Sequence, residues 1–113
     1  MSRERFEELI EEAVLGLPEW VRERLENVEI LVEEHPPPNE SRLLGRYEGI
    51  PLTRRGRGYS GVLPDRITLF RSRIERTARD DEQLKERIRH VVVHEIAHFF
   101  GISDDRLREL DRY

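Results

Sequence analysis

The chain of 113 residues has no cysteine. A disulfide framework and a thiolate metal site are therefore both excluded, and any bound metal has to be held by histidine and carboxylate. Methionine occurs once, as Met1, and lysine once, as Lys85, against 19 arginines. The glycine-rich stretch Gly56-Arg57-Gly58-Tyr59-Ser60-Gly61 therefore cannot act as a phosphate loop of the G-x-x-x-x-G-K-[ST] type, because it lacks both the spacing and the lysine. No apolar run approaches the ~18 residues that span a bilayer, and the first 15 residues are acidic and amphipathic rather than signal-like. The expectation is a soluble cytoplasmic protein with no membrane partner.

What the chain has in excess is charge. Asp, Glu, Lys and Arg make up 39% of it, against a typical ~25%. They are unevenly placed: residues 1–40 hold 4 basic and 12 acidic side chains, and residues 41–80 hold 10 basic and 4 acidic. The simple reading is attraction between an acidic N-terminal helix and a basic middle; the other is a basic rim that draws an anionic partner. The length corresponds to one domain, residues 1–113, able to bury one modest core.

Apolar spacing sets the elements. Ser2 caps a helix from Arg3 to about Leu15, with Phe6, Leu9, Ile10, Ala13 and Val14 on one face and Gly16 ending it. Pro18 opens a short helix from Glu19 to about Glu26, with Trp20, Val21 and Leu25 inward. Val28–Glu33 is β-branched and reads as a strand; Leu43–Ile50 reads as a second strand antiparallel to it. His35 lies in the proline-rich loop between them and reads as a solvated loop histidine. Val62-Leu63 and Arg66–Arg71 read as strand interrupted by Pro64, which favours a sheet edge where an extended substrate could add. A short helix over 72–78 precedes a long one that Asp80 caps and that runs to about Phe100. Ser103 caps a last helix, Asp104 to about Arg112, with Leu107 and Leu110 inward.

The second half of the long helix is apolar nearly all round, apart from His94, Glu95 and His98. Buried polar groups are costly unless something compensates them, and a cation would do so. The local sequence reads H-E-x-x-H-x-x-G-x-x-D. In shuffles of this composition H-E-x-x-H arises about 0.02 times and the full pattern on the order of 10⁻⁴ times or fewer, so the extended motif is the specific one. His94 and His98 lie four apart, on one helix face. Glu95 is placed to serve as general base toward a metal-bound water. Gly101 permits a sharp exit that brings Asp104 back as a third ligand, leaving a position open as catalytic zinc sites do. A pair of core histidines is the competing reading of His94 and His98. A carboxylate at a helix N-terminus is that of Asp104, and Asp105 is the alternative ligand. Tyr59 is a candidate oxyanion donor or an ordinary surface side chain.

The run H-E-I-A-H-F-F-G-I-S-D-D-R-L-R-E-L, with the upstream P-L-T-R-R-G-R-G-Y-S-G-V-L-P-D-R-I-T-L-F, resembles the small bacterial zincin-like metallopeptidases, minimal metzincin-like proteins. The resemblance runs from about Tyr47 onward. It implies an α+β zincin-like fold: a small mixed β-sheet packed on an N-terminal helix and a long active-site helix, followed by a short C-terminal helix. It also implies zinc held by His94, His98 and Asp104, with Glu95 as the catalytic carboxylate. Metzincins have histidine where this chain has Asp104, and their downstream Met-turn has no counterpart, since the only methionine is Met1. Only 12 residues follow Gly101, so the subdomain with which metzincins grip a peptide is expected to be missing.

The leading expectation is a zinc-dependent hydrolase of a peptide or protein substrate. The alternative is a metal-binding interaction module with little or no proteolysis. A nucleic-acid interface built on Arg54, Arg55, Arg57, Arg66, Arg71 and Arg73 is disfavoured by the net charge of −4 and the lack of interleaved aromatics.

Overall fold

In a computed structural model, which describes residues 1–56 and 63–106, the chain is α+β. Helix α1 (Arg3–Leu15) starts where expected, the Ser2 side chain accepting from the Arg5 N–H, and Gly16 closes it. Helix α2 (Glu19–Arg24) follows Pro18. Strand β1 (Val28–Glu33) has the bounds that its β-branched run predicts. A 3₁₀ turn at Pro38–Glu40 leads to β2 (Gly45–Glu48), and another at Leu52–Arg54 lies before β3 (Asp65–Phe70). Helices α3 (Arg71–Arg76) and α4 (Asp81–Phe99) complete the described elements, the Asp80 carboxylate accepting from the Gln83 N–H at the start of α4. The chain at 104–106 turns helical under a Ser103 cap, whose hydroxyl accepts from the Arg106 N–H at 3.2 Å. The expected continuation of that helix, with Leu107 and Leu110, lies outside the described residues, as do Arg57, Gly58, Tyr59, Gly61 and Val62.

The sheet bears out one expectation and corrects another. Its order is β1-β3-β2, with β1 parallel to β3 and β2 antiparallel to β3. β2 therefore runs antiparallel to β1, as expected, but is not its neighbour: eleven residues separate the two in the chain, and β3 inserts in the gap. β3 is the central strand, not an edge, and offers no free side for a substrate. Pro64 is compatible with this because it precedes the first paired residue: the Asp65 N–H already bonds the Asn27 carbonyl at 3.1 Å, so the missing proline N–H costs no ladder bond.

The core forms where α1 and α4 pack on one another and α4 covers the sheet. Phe6, Leu9 and Ile10 meet Ile67, Leu69, Leu84, Ile88, Val92 and Ile96, all buried. Ala13, Val14 and Leu25 are only partly buried around it. Trp20 overturns its inward placement: it is 62% exposed, its ring edge-on to Phe100 at 5.8 Å, while Val21 is the buried residue of α2. Charge attraction between the first third and the middle is present, though through strand and loop rather than α1. Glu29 pairs with Arg66, Glu34 with Arg71, and Glu40 with Arg46. The acids of α1 mostly pair with Arg3, Arg5 and Lys85. Arg55, Arg66 and Arg71 of the supposed basic rim are thus engaged in ion pairs. Among the described residues no helix is long and apolar enough to cross a membrane.

Candidate metal centre

Helix α4 carries the site because its last two turns are apolar on the sides that meet the sheet and α1. Val91, Val92, Ile96, Ala97 and Phe99 are buried there. This leaves the stripe of His90, His94 and His98 facing a cleft of about 470 Å³. β2 forms the opposite wall, with Leu43, Leu44, Gly45, Arg46 and Tyr47. Gly45 is what lets the strand come so close. A Cβ there would lie 2.9 Å from Val91 Cγ1 and 3.2 Å from Glu95 Cγ.

The helix ends in a Schellman turn. The Gly101 N–H bonds the His98 carbonyl and the Ile102 N–H bonds the Ala97 carbonyl, each at 2.9 Å. Gly101 takes φ +86°, a region that L side chains avoid. The chain doubles back and puts Asp104 beside the helix. Asp104 Oδ1 lies 3.0 Å from His94 Nε2 and 2.8 Å from His98 Nε2. Glu95 is 4% exposed, and its Oε1 lies 3.0 Å from His98 Nδ1. The four side chains expected at the site are thus together. The aspartate between the two histidines is Asp104, the first of the pair considered. His35 is elsewhere, its Nδ1 2.8 Å from the Ser72 hydroxyl.

The electrostatics follow from this crowding. The His98 imidazole is raised above its ordinary pKa: burial opposes its charge, but the hydrogen bond to Asp104 and the nearby Glu95 outweigh that. The Asp104 carboxyl is lowered, chiefly by its bond to His98. Two imidazole nitrogens lie within 3.0 Å of one carboxylate oxygen. Tetrahedral ligands at 2.0–2.1 Å from an ion stand roughly 3.3 Å apart, so this donor set fits a divalent cation with a small outward relaxation. His94, Glu95 and His98 alone already bring ligand atoms within 4.8 Å of one another.

The profile of the zincin-like metallopeptidases matches residues 25–113. The chain belongs to that family. In this zincin-like protein the H-E-x-x-H helix, the antiparallel wall strand and the glycine exit are the parts just described. A solved structure, a conserved hypothetical protein from Thermus thermophilus, is 25% identical over 88% of this chain and 94% of its own, with a TM-score of 0.63. None of the curated proteins matches the sequence.

Three features of the site were missed from sequence. His90 lines the cleft one turn before His94, their ring centroids 6.4 Å apart and their planes inclined at 29°. The spacing His90-x₃-His94-x₃-His98 was readable and places all three on one face. Gly45 gave no signal without knowing what lies opposite. The third is the outer edge of β2. Because the Phe70 N–H bonds the Leu44 carbonyl, the pairing alternation turns the backbone groups of Gly45 and Tyr47 away from β3.

Proposed function

We propose that this protein is a zinc-dependent hydrolase of peptide bonds, with His94, His98 and Asp104 as the metal ligands and Glu95 as the proton acceptor. The observation that carries this reading is the convergence of both Nε2 atoms on Asp104 Oδ1 with a buried Glu95 alongside. Zinc held there would supply a Lewis acid and lower the pKa of water toward ~7.

The chain's own residues provide the rest. Glu95 is almost fully buried beside the two imidazoles, where it can take a proton from water and return it to a leaving amine. Its contact with His98 Nδ1 also fixes that ring, turning Nε2 toward the ligand position. Gly45 and Tyr47 line the same cleft, and their backbone groups turned away from β3 would let an extended peptide add to the β2 edge. This replaces β3 as the proposed docking strand. Leu43, Leu44 and Val91 offer an apolar floor for a substrate side chain.

The test is cleavage of a broad peptide library by the zinc-loaded protein, the chelated protein and the Glu95→Gln variant. Cleavage by the first alone supports the reading. Tight zinc binding with no cleavage of any peptide would favour a metal-binding interaction module instead.

A further inference from the structure

A polar cluster outside the proposed chemistry lies behind the site. Asp65, at the start of β3, is 2% exposed. A carboxylate buried to that degree must be paired to be tolerated. It accepts from the Tyr47 hydroxyl at 2.6 Å and from Arg55 Nη2 at 2.5 Å. Burial and the bond to Asp65 raise the Tyr47 hydroxyl well above its ordinary pKa, so it remains a donor. Arg55 also donates from Nε to the Ile50 carbonyl at 2.8 Å, and its guanidinium lies 5.3 Å from the centre of the Phe99 ring. Tyr47 meets the same ring edge-on at 6.0 Å.

The cluster grips the segment 49–56 at close range. Gly49 has φ +152°, and a Cβ there would lie 2.5 Å from Asp65 Cγ. At the far side of the segment, Thr53 presses on the exit from α4: a Cβ on Gly101 would overlap Thr53 Oγ1 and come within 2.7 Å of Cγ2. The segment is therefore wedged between a buried carboxylate and the turn that aims Asp104. For stability alone, an apolar trio of similar volume would serve as well as a buried ion pair. It would not fix the arginine in one orientation through three directed hydrogen-bond and ring contacts.

We propose that Arg55, locked by Asp65 and Tyr47, is a positioning residue for Asp104, acting through Thr53 on the Gly101 turn. The proposal rests on the reading of Asp104 as third ligand. Partners bonded directly to a ligand govern metal affinity by about 10–100-fold, and a contact acting one step further back, through the Gly101 turn, is expected at the lower end of that range.

The experiment measures zinc affinity by competition with a chromophoric chelator, and the cobalt(II) absorption spectrum, in the parent, Arg55→Met, Thr53→Ala, Asp104→Ala and the Arg55→Met/Asp104→Ala double variant. Ile74→Ala, a core truncation on α3, is the control for lost stability. All are compared at a temperature where circular dichroism finds them folded. We expect Arg55→Met to weaken zinc by about tenfold or more and to shift the cobalt bands, with Thr53→Ala changing both in the same direction. Ile74→Ala should stay within about twofold of the parent despite a lower Tm. In the Asp104→Ala background, Arg55→Met should cost nothing further. Parent-like zinc affinity in folded Thr53→Ala and Arg55→Met, or losses that add in the double variant, would overturn the proposal. Should Arg55→Met fail to fold, Thr53→Ala alone decides. If Asp104→Ala itself binds zinc like the parent, the ligand reading has failed and the proposal falls with it. If Asp104→Ala loses zinc while the other two do not, only the positioning role is lost.

Discussion

His98 stands between two carboxylates, with Nδ1 toward Glu95 and Nε2 toward Asp104. Without metal, both nitrogens can donate, which is why the imidazolium is favoured. A metal on Nε2 displaces that proton while the Nδ1–H bond to Glu95 persists. Two pH dependences of opposite sign follow. In the metal-free protein, His98 has a raised pKa, so its stabilisation is complete below the unfolded value near 6.5 and is lost as pH rises through the raised folded value. Asp104 has a lowered pKa, so its stabilisation is complete above about 3.9 and is lost as pH falls through the lowered value. This pair therefore contributes most between about pH 4 and 6.5 in the absence of metal. Zinc competes with the His98 proton, so the zinc-induced rise in Tm should grow as pH increases through and above neutrality. Melting curves with zinc and with chelator across that range check both signs; a zinc increment that shrinks with rising pH would remove Nε2 of His98 from the ligand set. Glu95→Gln is a selective probe at the same place. Glutamine retains an acceptor oxygen for His98 Nδ1 and loses the ability to take a proton. Zinc affinity should remain close to the parent's while hydrolysis is lost. Strong loss of zinc would make Glu95 a ligand.

At the scale of elements, the turn after α4 concentrates the most constraint in the fewest atoms. Gly101→Ala must place a side chain at φ +86° and force Thr53 aside. The expected cost is about 1–3 kcal/mol from the strained backbone and the overlap together. Removing the obstacle in Thr53→Ala should recover the part due to overlap and leave the part due to φ, which denaturant melts of the two single variants and the double would resolve. The exit at Gly101 was legible because glycine after the last periodic residue of a helix is itself the signal. So were the bounds of α1, β1 and α4, where a cap or a β-branched run marks the end. The pairing of strands was not. A period of two says which residues alternate, and it does not say which strand lies beside which. Pro64 pointed to an edge, yet a proline one residue ahead of a central strand breaks no hydrogen bond. Trp20 was placed inward from its bulk, but a six-residue helix has room to bury little more than Val21. That Glu95, His94, His98 and Asp104 come together was legible because their spacing is helical or follows directly from the turn. Tyr47, Arg55 and Asp65 are far apart in sequence and meet only through the sheet.

Over the whole molecule, the site joins the end of α4 to the residues at 102–106 that follow its exit turn. Neither Ser103 nor Asp104 is buried, so in the metal-free state the contacts of Asp104 with His94 and His98, which add to the backbone bonds of the exit turn, are screened by solvent. A bound ion would turn these contacts into coordination bonds, and binding to the native state alone stabilises it by mass action. Zinc at one hundred times its Kd contributes about 2.7 kcal/mol, which for a chain of this size raises Tm by roughly 10–20 °C. Core packing and metal linkage should then separate cleanly. Ile74→Ala opens a cavity on α3, away from the site, and should lower Tm by a similar amount with and without zinc. Asp104→Ala should lower the metal-free Tm little, since the side chain is 58% exposed, and should abolish most of the zinc increment. Asp105→Ala removes a neighbouring charge from the same helical turn and should preserve that increment. The measurement is the zinc-dependent change in Tm for all three variants against the parent at fixed free zinc. If Asp105→Ala loses the increment and Asp104→Ala keeps it, the ligand is the adjacent aspartate. If both keep it, the third ligand is elsewhere, and the convergence on Asp104 Oδ1 belongs to the metal-free protein alone.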